Sequence, residues 1–447
     1  DGKLIVTATE RTVPELSQYL PDEFIKLTTV TSDVHSSSLK ATIPLVVGGS
    51  TASPIDVKGI LKSKTDGIYY LCVGEIHEIV NVRVGDKTLT RAEAESAGYM
   101  TYTGSASQSL EPGIAYIQIT DPDLRKNDDG TYVEIGAGVV GLKLGTHTAD
   151  ECRNGARFLL WLLKTARVGA CEWGLGISES DIDLATFTTA IADVDAEGLK
   201  LDGVIYDRRV AQSWINEICR CIRGSYEIGE NGKRRLFISK ASDTSSYTYT
   251  KNNIELVRFG VGAYTGRVFN LGRLDYAYNP ITGLFMQSAY FQDPDSIADI
   301  EEQEFTGQSY LLRDPATAQK ILEYTCRRSL LGANKVLFSS RFLPANCRPG
   351  QLVTIDYPEH SISGLWKIVS LQIGDHVHRI EAEKFDASIF TVGTPGTAID
   401  WSKDPPIIPT INPGAASGLT LSTELTRAAD GTNIITLSGS FTLPAER

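Results

Sequence analysis

The sequence predicts a mainly β chain with α+β parts, divided into several domains. Three observations carry this. Short β-branched and aromatic runs, separated by Gly and Asp turns, fill most of the first third. Two strong helical patterns interrupt the β character, one within 150–197 and one over 315–331. A Pro/Gly-rich stretch over 391–414 then separates the body from two long alternating runs at the end. At 447 residues the chain exceeds what one core accommodates, so two to four domains are expected.

Residues 1–40 are polar, with one apolar segment around Phe24 to Leu27, and read as an N-terminal arm or first barrel strands. Residues 41–149 form a β-rich domain in which IPLVV, IYYLCV and VNVRV are strands, and Asp129-Gly130 marks a tight hairpin between Leu124 and Tyr132. Residues 150–199 are a helical connector. Ala156, Phe158, Leu159, Leu160, Trp161, Leu162 and Leu163 leave no polar face, which predicts burial on all sides. A second helix is expected to start near Ser180, with Asp181 and Asp183 in its first turn, where the helix dipole favours carboxylates. Its buried face is Leu184, Phe187, Ile191 and Val194.

Residues 200–345 form a second region. Asp207 is placed to cap a helix whose buried stripe is Val210, Trp214, Ile218 and Cys221, with Gly224 as its left-handed stop. Tyr226–Ile228 and Arg235–Ile238 flank the turn GENGK. Residues 241–310, rich in Tyr and Gly, read as mostly β. A helix over Pro315–Leu331 has Asp314 as N-cap, Pro315 in its first position and Gly332 at its end. Four strands follow as a meander: Val336–Leu343, Leu352–Tyr357, Leu365–Ile373 and His376–Phe385, the first two joined by the turn Arg348–Gln351. Those within 346–390 are the closing strands. Residues 391–413 are a linker, and 414–447 begin a β-sandwich module around Asp430-Gly431.

Bulk composition narrows the function. With 42% hydrophobic and 22% charged residues the chain is of globular type, and its longest apolar run, Phe158–Leu163, is far too short to span a bilayer. A net charge of −12 argues against a nucleic-acid-binding surface, although an acidic wall lets DNA slide past. Seven cysteines, an odd and sparse set, do not make a disulfide framework, and reduced thiols fit assembly in a cytoplasm. The start DGKLIVTATE lacks the features of a signal peptide, and its first residue, Asp, leads us to expect further sequence upstream.

Five segments, in order, match the motifs of one known protein family. IPLVVGG (Ile43–Gly49) is similar to the family's IPxxYG strand, with Val47 where Tyr is usual. YLCVGEIHEI (Tyr70–Ile79) resembles the ALAEGEI strand. LLWLLKTARVGACEWGLGISESDIDLATF, ending at Phe187, resembles the central linker, with Ala170–Trp173 as an insertion. Asp202–Ile228 is similar to the helix-bearing barrel, and Ala318–Leu371 to the closing part, with Gln351 in place of the family's Asp.

By these segments the chain resembles, over about residues 40–390, the central tail hub proteins of long-tailed phages, a group that includes the lambda tail tip protein and the hubs of gene transfer agents. The resemblance implies tail-tube-like β-barrels with a packed helix, followed by the start of a fibronectin type III-like β-sandwich. It further implies a non-enzymatic homotrimer in the virion, at the tail tip or baseplate, assembled in the host cytoplasm. Such a hub caps the tail tube, closes the DNA channel, and opens for genome ejection. Its implied partners are the distal tail protein, the C-terminus of the tape measure protein, and tail fibres or receptor-binding proteins. Phage DNA passes through without specific binding, and the host outer surface is met at infection. The candidate assembly contacts are Phe158, Trp161, Cys171, Trp173, Trp214 and Trp366. Alternative readings are a multidomain surface adhesin for a host glycan or receptor, and a cell-wall hydrolase.

No catalytic, cofactor or metal site is expected. His376 and His378 would put two imidazoles on one face of a strand, and around a three-fold axis such a pair would suit an octahedral metal, but no third ligand is near in sequence. Cys219 and Cys221 point some 200° apart on a helix, Cys221 toward the core and Cys219 partly exposed. Asp121, Asp123, Asp128 and Asp129 fail the spacing of a calcium loop. Glu75, Asp181 and Glu304 are carboxylates of the type a glycosidase needs, without a spacing that pairs them. Gly136-Ala137-Gly138 and Gly260-Val261-Gly262 lack the strand–turn–helix context of a phosphate loop and read as strand bends or bulges.

Overall fold

The computed structural model describes residues 43–392 apart from 109, 111–112, 166–173, 207–208, 230, 255, 259–267, 333, 345–346, 361 and 375, and the backbone of 19–20, 417–427 and 433–442. The chain divides into a unit over 1–394 and a second over 395–447. Within the first unit the fold is mainly β, with several sheets and a half-barrel.

The first β region is built from two four-stranded antiparallel sheets. One has the order Ile55–Lys58, Ile135–Leu142, Ile76–Val84, Lys87–Thr90; the other has Ile60–Ser63, Ile68–Val73, Ile114–Ile119, Tyr99–Thr103. A short helix, α1 (Arg91–Ser96), joins them, opened by a capping box between Thr90 and Glu93. Ile55, Val57, Leu71, Ile79, Val82, Ile117 and Val139 fill the space between the sheets. Every residue of Ile135–Leu142 is buried, and its register shifts between Gly138 and Val139, where the sequence predicts a bulge. The turn predicted at Asp129-Gly130 is present, bridged by Lys126 and Tyr132.

The strand Leu45–Val47 leaves this region to pair with Gly203–Ile205, antiparallel, Val46 opposite Val204. Between them runs the connector. Helix α2 (Gly155–Lys164) buries Phe158, Leu159, Leu162 and Leu163, each worth about 1.5–3 kcal/mol of apolar transfer. Burial on all sides does not hold: Leu160 and Trp161 are half-buried and form an outward face with Lys164. Helix α3 (Leu184–Glu197) begins four residues later than expected. Glu179–Asp181 forms a separate 3-10 turn, and Asp183 precedes the helix with its carboxylate turned to Arg235 at 3.1 Å instead of to a helix amide. Phe187 and Val194 are buried as predicted, and Gly198 ends the helix at φ 61°.

Helix α4 (Ala211–Cys221) starts after Val210, which pairs with Tyr19 in a two-residue strand and so is not part of the helical stripe. Asp207, the expected cap, lies outside the described residues, as do residues 1–18 and 21–40 of the predicted arm. The left-handed stop is Arg223 (φ 54°) and not Gly224, which opens the hairpin strand Gly224–Ile228. Arg223 holds this conformation because its guanidinium is buried, bonded to Glu197 at 2.5 Å and stacked 5.0 Å over the Phe390 ring.

Among the described residues of 241–310 lie five strands and one unpredicted helix, α5 (Pro294–Ile300), capped by Asp293. A three-stranded sheet has Leu271–Asn279 between Leu284–Gln292 and Glu304–Gln308. Helix α6 spans Pro315–Leu331, its Asp314 cap accepting from the Thr317 amide at 2.8 Å. The closing sheet is not a simple meander. Its order is Thr248–Thr250, Leu352–Tyr357, Ile362–Gln372, His378–Lys384, Lys335–Ser340, Leu256–Arg258. The strand beginning at Lys335 therefore lies beside the last strand, a Greek-key return, because its alternating Val336 and Phe338 complete the core of Tyr249, Val353, Ile355, Ile368 and Ile380. In the second unit Ser417–Arg427 and Asn433–Thr442 form an antiparallel hairpin; the predicted turn at Asp430-Gly431 lies outside the described residues.

Candidate assembly surface

The connector is fastened at three points. Asn154 is 2% exposed and works in two directions. Its Oδ1 accepts from the amides of Ala156 and Arg157, both at 3.0 Å, satisfying two orphan donors at the start of α2. Its Nδ2 donates to the Ile191 carbonyl at 2.9 Å and to Asp195 Oδ1 at 2.7 Å, tying α2 to α3.

The second point is Asp202, also 2% exposed. Arg153 reaches it bidentately, Nε to Oδ1 at 2.8 Å and Nη2 to Oδ2 at 2.6 Å, and the Gly49 amide donates to Oδ1 at 2.8 Å. One carboxylate thus joins the first β region, the connector and the strand Gly203–Ile205. Gly48 adopts φ 71° directly against it, and a side chain there would run into Asp202 Oδ1.

The third point is the end of α2. The amides of Leu175, Gly176 and Ile177 donate to the carbonyls of Leu162 (3.0 Å), Thr165 (3.2 Å) and Leu163 (2.8 Å). The returning chain therefore supplies the C-terminal cap of the helix. Gly174 (φ 120°) comes so close to the Thr165 carbonyl that any Cβ would overlap it.

The predicted contact residues separate by burial. Phe158 and Trp214 are 0% exposed and Trp366 is 6% exposed, with Lys384 Nζ 5.1 Å from its ring. Their side chains pack inside the chain and so form its own core. Trp161 is half-buried, stacked on Phe158 at 5.8 Å, and keeps free surface. Cys171 and Trp173, with the insertion Ala170–Trp173, lie outside the described residues.

The chemical candidates are dispersed. His376 stands in the bend before the strand and only His378 is in it, so one strand face does not carry both rings. Cys219 is buried like Cys221, at 7% and 1% exposure, which corrects its expected partial exposure; Gly224–Ile228 folds back against α4 and covers it. Glu75 pairs with Lys143 at 3.0 Å, Asp181 lies in the 3-10 turn, and Glu304 accepts from Thr306 at 3.1 Å. Asp121 caps a 3-10 turn and Asp129 bonds Thr131.

His77 Nε2 and Cys152 Sγ, 75 positions apart, meet at 3.4 Å, a contact that no local pattern announces. Burial pushes the thiol up and the imidazole down, so both groups stay neutral, the opposite of an activated thiolate–imidazolium pair. The buried carboxylates have arginine partners: Glu217 with Arg209 (3.4 Å), Glu323 with Arg327 (3.2 Å), Glu383 with Arg328 (2.8 Å). Among the described residues no group of three His, Cys, Asp or Glu side chains is arranged to hold a metal ion. Nor is any described helix long and apolar enough to cross a membrane.

The sequence matches no protein-family model and no curated protein. Among solved structures, the fold is similar to that of a chain in the virion of a native gene transfer agent particle. The match has a TM-score of 0.52 at 14% identity, covering 79% of this chain and 86% of that one. Two others are a tail protein from Neisseria meningitidis MC58 (TM-score 0.34, 10% identity, 58% of this chain and 76% of that one) and the 43 kDa tail protein of prophage MuSo2 from Shewanella oneidensis (TM-score 0.32, 12% identity, 70% and 100%).

Proposed function

We propose that the chain is a non-enzymatic structural protein of a phage-type tail, seated at the tail tip or baseplate as its hub. The fold shared with a gene transfer agent virion chain over 79% of the length carries this reading. The five ordered sequence segments support it, as do buried carboxylates held by arginines rather than poised for catalysis. In this role three copies cap the tail tube and close its channel. They anchor the tape measure C-terminus and the fibres below the distal tail protein, then open for DNA. Trp161, on the outward face of α2, is the described residue best placed for a subunit contact.

The test is an image of the assembled tail together with the mass of the purified complex. A three-fold ring beneath a tube, and a species three times the 48.7 kDa chain mass, are the expected results. A tail whose tip lacks this chain overturns the proposal. Saturable binding of a glycan array by a monomer, with no place in the tail, would favour the adhesin reading instead.

A further inference from the structure

A cleft of about 720 Å³ opens between α4, α6 and the strand Ile362–Gln372. Four cations line it: Arg220 and Arg223 from the end of α4, Arg328 from α6, and Lys367 from the sheet. In a chain of net charge −12 this is a local reversal of sign. Glu383 lines it too and is engaged by Arg328 at 2.8 Å, while Glu197 engages Arg223 at 2.5 Å. Lys367 Nζ donates to Ser239 Oγ at 2.7 Å and is near enough to Asp243 to oppose the rise that burial imposes on that carboxyl. Arg220 gives one hydrogen bond to the Gln308 carbonyl at 2.7 Å and stands 3.9 Å from Glu217, whose carboxylate it shares with Arg209. The positive charge of the cleft is therefore only partly compensated. Tyr324, in its wall, registers this: burial pushes its phenol up, yet Lys367, Arg328 and a hydrogen bond from Ser239 outweigh burial and hold it below the ordinary tyrosine value.

The rest of the lining mixes polar side chains such as Asn216, Thr325 and Ser329 with an apolar and aromatic part that includes Phe305 and the 36% exposed Val369. A bare inorganic anion would leave that surface and most of the volume empty. A nucleic-acid backbone would bring its whole charge against an acidic chain. We propose that this cleft binds an acidic polypeptide segment of another protein, its carboxylates meeting Lys367, Arg328 and Arg220 and its apolar side chains lying on Phe305 and Val369. The inference does not depend on the tail reading, since it concerns the isolated chain in solution.

The experiment uses the full chain carrying 3-fluorotyrosine at position 324, followed by fluorine NMR. The probes are a ten-residue peptide of alternating Glu and Leu, its Gln/Leu counterpart, and inorganic phosphate. The Glu/Leu peptide is expected to shift the resonance saturably and to raise the phenol's pKa by neutralising its cationic neighbours, while the Gln/Leu peptide leaves it in place. Lys367→Gln is expected to weaken binding about tenfold, equivalent to about 1.4 kcal/mol, and Lys367→Arg to retain it. An unmoved resonance with the Glu/Leu peptide overturns the proposal. So does Lys367→Gln binding as tightly as the parent chain at an unchanged melting temperature. Phosphate alone reproducing the peptide's effect at equal concentration would make this a small-oxyanion site and overturn the polypeptide assignment.

Discussion

Arg153 and Asp202 are 49 positions apart in sequence, yet their side chains meet in two parallel hydrogen bonds of 2.8 and 2.6 Å. Asp202 is almost fully buried, so the pair has little water to fall back on. Breaking such a pair from one side costs about 3–5 kcal/mol, because the remaining charge stays buried alone. Asp202→Ala also orphans the Gly49 amide. Urea unfolding of Asp202→Ala and of Arg153→Met is expected to show losses of this size. The double variant should lose less than their sum. Gly48→Ala should act on the same site, forcing a left-handed Ala against the carboxylate, at a cost of about 2 kcal/mol or more. Additive losses for Arg153→Met and Asp202→Ala would refute the coupling.

Asn154 offers a cleaner dissection of the connector. Asn154→Asp keeps the oxygen that caps α2 but loses the two donors to α3, and it places a carboxylate beside Asp195. Asn154→Ala loses both functions. A cap is worth about 1 kcal/mol and each of the two lost bonds at least about 0.5–1.5 kcal/mol, so Ala should cost about 2–4 kcal/mol. Calorimetry of both variants checks this; an Asn154→Ala within 0.5 kcal/mol of the parent, roughly the scatter of ordinary surface changes, would mean the asparagine is incidental.

Acid should loosen two turns before the core. Glu93 and Glu151 are held below the ordinary glutamate value, first by the backbone amides of Thr90 and Thr148 and then by their hydroxyls. Each is therefore more acidic in the folded chain than in the unfolded one. Their contribution is complete above the ordinary carboxylate range and disappears as pH falls through the lowered folded value. Amide exchange at Thr90 and Thr148, corrected for intrinsic rate, is expected to accelerate as pH falls from neutral to below the ordinary glutamate range. Unchanged protection across that interval would contradict the assignment.

Trp161→Glu tests the proposed subunit contact. Its ring is half-buried and the helix is anchored by Phe158, Leu159, Leu162 and Leu163, so the chain should still fold with a loss of about 1–2 kcal/mol. Light scattering is expected to show the proposed trimer for the parent and monomer for the variant. A trimer that survives the substitution would move the contact elsewhere.

Local signals were legible where a few adjacent residues decide the outcome. Asp314, Pro315 and Gly332 mark the bounds of α6, and Leu352–Tyr357 announces itself by alternation. What escaped was settled by distant partners. Nothing near Asp202 says that Arg153 and Gly49 will converge on it. Arg223 takes the left-handed position beside a glycine because Glu197 and Phe390, far along the chain, hold its side chain. The strand Lys335–Ser340 joins the last strand instead of the next because pairing is chosen by core fit, to which turn composition gives no clue. Of the candidate contacts, Phe158, Trp214 and Trp366 are buried within the chain, since large apolar side chains are as much the material of a core as of an interface.

The returning chain also sets the length of α2. With the amides of Leu175, Gly176 and Ile177 already bonded to the carbonyls of Leu162, Thr165 and Leu163, the helix cannot grow by another turn without first releasing this strap. The end of α2 is thus a fixed stop, and the helix works as a rod of set length between the elements that Asn154 and Asp202 fasten.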